Sequence, residues 1–175
     1  MSNVRWATSR SLTILTERSN LSTRLGLSET LRETVLTLLR SPQYWSHARV
    51  RSQTLNSREA AAARFEQLSI EERSKFRTET LVNVGGSLQR QTPARSRLSD
   101  SGAYMIVTLL IATTHDRPMV NQVHSTDELR EVLQRLGAIA PYDLLVYELI
   151  WTSQDARDTL SYDEMIAQYP SLIQL

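Results

Sequence analysis

Hydrophobic and polar positions follow a helical period near the start of the chain. Leu27, Leu31, Val35 and Leu38 fall on one face at spacings of three or four residues, and Pro42 follows them. Proline just beyond a periodic run is a common end signal, because it cannot continue a helix. This pattern predicts an amphipathic helix that ends shortly before Pro42.

The alanine-rich run that follows predicts two further helices in succession. Ser57 stands before the run as an N-cap residue, and Phe65 and Leu68 lie on its apolar face. Ser69 is followed three residues later by Glu72, which is the spacing of a capping box. In a capping box the two side chains satisfy backbone donors at a helix start. We therefore expect a break close to Leu68 and Ser69.

Two more capping-box patterns occur in the second half of the chain. Ser125 and Glu128 precede apolar positions at helical spacing, and Ser161 and Glu164 precede a shorter run that Pro170 ends. A serine at the N-cap accepts a hydrogen bond from a backbone N–H of the first turn. The spacing predicts one helix in each place.

Three stretches have the residue content of β-strands. The run 103–114, AYMIVTLLIATT, has no charge and is about half the ~20 residues that a membrane-spanning helix needs. It predicts an interior strand that is buried on both faces. Further strands are predicted at 45–52, with arginines on the solvent side, and at 142–152. Helices and strands interleave without a βαβ rhythm. We therefore expect one α+β domain over residues 1–175, with a small, largely antiparallel sheet and about five helices.

The segment Gly85 to Gly102 has no hydrophobic period and predicts a long, mobile loop. Long loops without structure of their own are usually functional or disordered. This one carries Arg90, Arg95 and Arg97 against a single acid, Asp100. We expect the three arginines to contact an anionic partner, either a protein face or a lipid surface; the alternative is a solvated connector.

Composition narrows the range of functions. A chain of 175 residues buries roughly 70% of its unfolded surface, which is enough for one core. The net charge of +1 lacks the basic excess of nucleic-acid-binding proteins, so nucleic acid is not an expected partner. The lack of cysteine excludes disulfides, thiolate catalysis and iron–sulfur clusters. Residues 1–20 lack the apolar run of a signal peptide; we favour a polar strand and helix over a transit segment there.

Candidate catalytic and metal-binding residues are sparse. His47, His115 and His124 stand on separate elements without the spacing of a metal site. The Gly85–Gly86 pair belongs to no phosphate-binding motif, and the acids between 155 and 164 lack the spacing of a calcium loop. We therefore expect no metal, no cofactor and no catalytic set.

The end of the chain has two possible roles, as the last piece of the core or as a docking peptide. Trp151 ends the predicted strand 142–152, and Thr159 or Ser161 can cap the helix that follows. Tyr169 and Leu172 are then placed to pack against the sheet. We favour the core interpretation.

Five segments, in order, resemble a family found in cyanobacteria and chloroplasts, domain-of-unknown-function family 1517. The similarity covers about Leu27 to Leu175, and its co-occurring segments are LRETVLTLLRSPQYW (31–45), FEQLSIEERSKFRTETLVNV (65–84), YMIVTLLIAT (104–113), STDELREVLQRLGAI (125–139) and ELIWTSQDARDTLSYDEMIAQYPSLIQL (148–175). One departure is Ser153, where the family tends to have proline in a WTPQ motif.

The resemblance implies that the domain works in photosynthesis, but it does not imply a particular chemical reaction. Members of the family are linked to photosynthetic membranes and to acclimation of photosynthesis, and no enzymatic activity is established for them. They usually carry a Gly-rich segment and membrane-anchoring stretches ahead of this domain, and the chain has neither. We therefore expect a domain on the cytoplasmic or stromal side, peripheral to a photosynthetic membrane and without a transmembrane span. The expected function is non-catalytic, regulatory or scaffolding, through protein or membrane-surface binding; the alternative is an enzyme or small-ligand sensor whose site is assembled from scattered residues.

Overall fold

The computed structural model describes residues 11–12, 23–75, 81–84, 87–90, 104–120, 122–152 and 160–175, with backbone alone for 81–84 and 87–90. Four α-helices have both ends in these ranges: α1 (Arg24–Leu39), α2 (Arg58–Lys75), α3 (Thr126–Gly137) and α4 (Tyr162–Gln168). The strands of these ranges form three antiparallel pairs: β1 (His47–Ala48) with β6 (Ile173–Gln174), β2 (Leu81–Val84) with β3 (Ser87–Arg90), and β4 (Val107–Thr113) with β5 (Leu144–Trp151). The predicted α+β class is confirmed.

The β4–β5 pair has helices on both faces. On one face the hydroxyl of Tyr147 donates a hydrogen bond to Thr34 Oγ1 of α1 at 2.8 Å. On the other face Arg73 Nε of α2 donates to Glu148 Oε1 at 2.8 Å. Neighbouring residues of a strand point to opposite sides of the sheet. The two contacts therefore place α1 and α2 in different layers.

The main core lies between this strand pair, α1 and α3. Leu31 of α1 and Leu144 of β5 have 1% and 0% of their surface exposed, and Leu133 and Ile139 are buried beside them. Gly137 lets the end of α3 approach α1 closely, because a Cβ there would lie 3.2 Å from Val35 Cγ1. The α2 side is less covered, since Ser69 is the one residue of this helix that is buried.

All four of these helices begin where hydroxyl side chains cap them, and Ser57 caps α2 as predicted, because its Oγ accepts from the Ala60 N–H at 3.1 Å. Thr23 Oγ1 accepts from the Gly26 N–H at 3.0 Å, so α1 starts one turn before its first predicted apolar residue. Ser125 and Ser161 cap α3 and α4 as the sequence predicts. The capping box of α4 is complete, because Glu164 also accepts from the Ser161 N–H at 2.8 Å.

The predicted break between two helices near Leu68 and Ser69 is wrong. Arg58 to Lys75 form one continuous helix, and Ser69 lies inside it with 6% of its surface exposed. The local residues are strong helix formers without glycine or proline, so nothing interrupts the helix. The carboxylate of Glu72 is engaged with Lys75 instead of a helix start.

Three strand and loop predictions also need correction. The predicted strand 45–52 is reduced to His47–Ala48, which pairs with β6. The run 103–114 does contain a strand, β4, but within the described ranges it pairs with β5 alone and every residue of it is half-buried. Within the described ranges β4 is therefore an edge strand and not an interior one. The prediction failed because the apolar content of a strand does not show how many strands pair with it. The segment predicted as a loop at 85–102 contains strand β3 in its first part.

Candidate binding groove

An open groove of about 1420 Å³ runs along β4. Two stretches of chain line it without interruption: residues 43–58, most of which lie outside helices and strands, and residues 104–117, which include β4. We call this space the β4 groove. Its two long walls suit an elongated occupant better than a compact one.

Apolar side chains from both helical layers also line the β4 groove. On the α2 side Phe65 and Leu68 are half-buried and line the groove. On the α3 side the lining residues are Leu129, Val132, Leu133 and Leu136. Half-covered apolar side chains gain about 25 cal/mol for each Å² that a partner removes from water. The groove can therefore contribute binding free energy through its walls.

The charges around the β4 groove are predominantly positive. Arginines at five positions line it and form no ion pair with any described residue: Arg49, Arg51, Arg58, Arg64 and Arg117. The acids that line the groove are Glu71, Glu72 and Asp116, and the first two lie within 4 Å of Lys75. A positively charged groove attracts a negatively charged partner and speeds its association.

A polar cluster ties α2 to β4 and to the end of the chain. Lys75 Nζ lies 2.6 Å from Glu72 Oε1, and Thr108 Oγ1 donates to Glu72 Oε2 at 3.3 Å. The ammonium group of Lys75 also lies 4.5 Å from the ring centre of Tyr169. Burial and the nearby Glu72 carboxylate raise the pKa of Tyr169. Because the charges of Lys75 and Glu72 compensate each other, the cluster is suited to holding the fold together.

The three histidines are not brought together. The ring of His47 meets the rings of Tyr104 and Tyr162 at an angle, with centroid distances of 6.3 and 6.0 Å. His115 Nε2 lies 4.0 Å from Asp143 Oδ2, and the backbone N–H of His124 donates to Glu128 Oε2 at 2.7 Å. In the part of the chain that the structure describes, no group of three or more histidine, aspartate or glutamate side chains could hold a metal ion.

The predicted tail residues lie on different parts of the fold. Trp151 is the last residue of β5, Tyr169 is buried after α4, and Leu172 is half-buried beside β6; Thr159 lies outside the described residues. The β1–β6 pairing joins this end of the chain to the segment that walls the β4 groove.

The structure does not test the predicted anionic contact of Arg90, Arg95 and Arg97. Arg90 is the last residue of β3 and its backbone pairs with Leu81; Arg95 and Arg97 lie outside the described residues. Sequence reasoning missed the groove itself. The signal was present in Arg49 and Arg51, which stand two residues apart after β1 and are exposed, but nothing local shows that this stretch lines the same groove as β4.

Taken together, the fold and the groove define an α+β domain with an open, apolar and positively charged surface. The chain matches the family described as "Protein of unknown function (DUF1517)" over residues 5–175 and belongs to it. The resemblance found in the sequence is therefore confirmed. No helix in the described ranges combines the length and apolar character needed to cross a membrane.

Two relatives with established names are similar to most of this chain. FLUCTUATING-LIGHT-ACCLIMATION protein 1, chloroplastic, from Arabidopsis thaliana is 39% identical over 160 residues, which are 90% of this chain and 40% of the relative. Protein FLAP1 homolog A from a Synechocystis species is 36% identical over 155 residues, 84% of this chain and 46% of the relative. The chain thus spans less than half the length of each. No solved structure matches it.

Proposed function

We propose that this domain is a non-catalytic regulatory or scaffold domain that serves acclimation of photosynthesis by binding a protein segment in the β4 groove. The name of the Arabidopsis relative supports the setting, which is acclimation to fluctuating light. The observation that carries the proposal is the combination of apolar walls with arginines that have no ion-pair partner among the described residues. The partner that fits this combination is a segment with apolar and acidic side chains.

The size of the β4 groove favours a protein segment over a small ligand. Sites for small molecules usually measure about 300–1,000 Å³ and enclose most of the ligand. The volume of the β4 groove, about 1420 Å³, exceeds that range, and the groove is open to solvent and bordered by two long walls, residues 43–58 and 104–117. An enzyme or small-ligand sensor is the alternative, and the polar cluster around Glu72 and Lys75 would then orient the ligand.

The concave shape of the groove also favours a protein over a lipid surface. A bilayer is flat on the scale of a small domain, so it can reach rim arginines but not Phe65 or Val132 inside the groove. We propose the predicted loop arginines Arg90, Arg95 and Arg97 as a secondary contact with the same anionic partner. The domain would then act on the cytoplasmic or stromal side, beside a photosynthetic membrane.

Peptide selection with two matched variants tests the proposal. The groove variant carries Arg49→Gln, Arg51→Gln and Arg58→Gln, and the loop variant carries the same change at Arg90, Arg95 and Arg97. From a displayed library of random peptides at low salt, we expect the wild-type domain to enrich sequences rich in apolar and acidic residues. Each exposed charge pair contributes about 0.2–1 kcal/mol, so the groove variant should bind the selected peptides about tenfold more weakly.

The loop variant is the control, because it has the same loss of charge at another place. We expect it to lose less affinity than the groove variant, and both differences to shrink at high salt through screening. Selected peptides without acidic excess, or equal binding by the groove variant and the wild type, would contradict the proposal. Binding to anionic liposomes that the loop variant loses, with no peptide selected, would assign the domain to a membrane surface instead.

A further inference from the structure

One edge of β4 is unpaired in the described part of the chain, and this edge lies in the β4 groove. On its other edge β4 pairs with β5, and the Thr152 N–H donates to the Ile106 carbonyl at 2.9 Å. Backbone hydrogen bonds of an antiparallel pair come from every second residue. Thr108 and Leu110 therefore face β5, and the residues between them face the groove.

The residues whose backbone groups point into the groove are Val107, Leu109 and Ile111. Among the described residues, none of their N–H or C=O groups has a hydrogen-bond partner. The side chains of all three are half-buried, and those of Leu109 and Ile111 pack against the core on the side of α1 and α3. An unpaired backbone group that is kept from water costs about as much as a lost hydrogen bond. These groups gain most from a partner that supplies matching backbone donors and acceptors.

The edge of β4 also lacks the features that protect exposed strand edges. Natural edge strands are commonly short, charged, bulged or interrupted by proline. Residues 104–114 contain no charge and no proline. β4 runs regularly from Val107 to Ala112, and its register shift against β5, between Ala112 and Thr113, lies beyond the three residues that face the groove. Such an edge is an open template for one more strand.

From these observations we infer that the partner segment binds as an additional β-strand, in extended form, along Val107, Leu109 and Ile111. The inference rests on the proposed function and specifies how the groove recognises its partner. Main-chain hydrogen bonds to the edge supply affinity, while pockets for alternate side chains supply selectivity. Side chains on one face of the added strand meet Phe65 and Leu68, and those on the other face meet the apolar residues of α3.

Charge identifies the occupant as a segment of another protein with acidic residues. The β2–β3 hairpin of the same chain is a competing occupant, but residues 81–99 contain no aspartate or glutamate. A second copy that pairs through its own β4 is another, but it would bring two sets of groove arginines together. Like charges at an interface oppose association. Acidic side chains instead give Arg49, Arg51 and Arg58 the ion pairs that they lack among the described residues.

Residue-resolved amide hydrogen exchange tests the strand addition on the full chain. In the free protein we expect the amides of Val107, Leu109 and Ile111 to exchange much faster than those of Thr108 and Leu110, which the ladder protects. A peptide selected on the wild-type domain should slow the exchange of the three outward amides at least tenfold. The same peptide with alternate backbone amides methylated should lose this effect and bind weakly, because it can no longer donate hydrogen bonds to the edge.

The outcomes separate this inference from the proposed function. If the selected peptide binds through the groove arginines but leaves the three outward amides fast, the groove binds proteins and the strand addition is wrong. Slow outward amides in the free protein would mean that a segment of the same chain covers the edge. Protection that rises with protein concentration would mean pairing of two copies. Both results would also overturn the inference. If the library yields no peptide whose binding depends on the groove arginines, the proposed function itself is wrong.

Discussion

Deletion of residues 161–175 is expected to abolish cooperative thermal unfolding. The segment contains Met165 and Tyr169, with 2% and 5% of their surface exposed, and β6, which pairs with β1. Full burial of each such side chain is worth about 1.5–3 kcal/mol, whereas a domain of this kind is stable by about 5–15 kcal/mol in all. Calorimetry of the full and shortened chains is the measurement.

Single substitutions make this prediction quantitative when the shortened chain does not fold. Met165→Ala should lower the free energy of unfolding by about 2–5 kcal/mol through the cavity that it leaves. Ser171→Ala changes an exposed residue of the same segment and should leave stability within about 0.5 kcal/mol of the wild type. A shortened chain that melts at the wild-type temperature would show that the segment is a docking peptide and not part of the core.

Stability is expected to fall steeply above pH 10, because burial raises the pKa of both Tyr147 and Tyr169. In the unfolded chain a tyrosine ionises near pH 10, while the buried side chain keeps its proton. The stabilisation is therefore complete below pH 10 and is lost as the pH rises towards the folded-state value. The slope is about 1.4 kcal/mol per pH unit for each tyrosine.

Denaturant unfolding of two phenylalanine variants checks this alkaline loss. Tyr147→Phe and Tyr169→Phe should each reduce the slope by about half, and the double variant should remove most of it. The slope is the quantity to compare, because Tyr147→Phe also removes the hydrogen bond to Thr34 at every pH. A wild-type slope that survives in the double variant would contradict the assignment.

Local signals in the sequence predict the positions of the helices and of three of the six described strands, β1, β4 and β5. Ser125 and Ser161 lie at true helix starts because each is followed by a glutamate in the first turn and by apolar periodicity. Ser69 has the same spacing to Glu72 but lies inside α2, where residues on both sides favour the helix. Glu72 bonds to Lys75 within the same helix and to Thr108 of β4 across the fold, so its carboxylate does not cap a helix start at Ser69.

The β4 groove was beyond sequence reasoning because it depends on which strands are neighbours. Apolar content predicts that 103–114 is a strand. The same content fits both an interior strand and an edge strand whose unpaired edge binds another segment. Arg49 and Arg51 were expected on a solvent-facing side, and they are exposed. Only the structure shows that their stretch of chain lines the same groove as β4.

The central claim, that the β4 groove performs the function of this domain, is tested most directly by growth in fluctuating light. A strain whose gene carries the groove variant is compared with strains carrying the wild-type gene or a deletion, at constant and at fluctuating light of equal mean intensity. The protein level of the groove variant must match that of the wild type. The proposal predicts that the groove variant grows like the wild type in constant light and like the deletion strain in fluctuating light. Growth equal to the wild type in both regimes would contradict it.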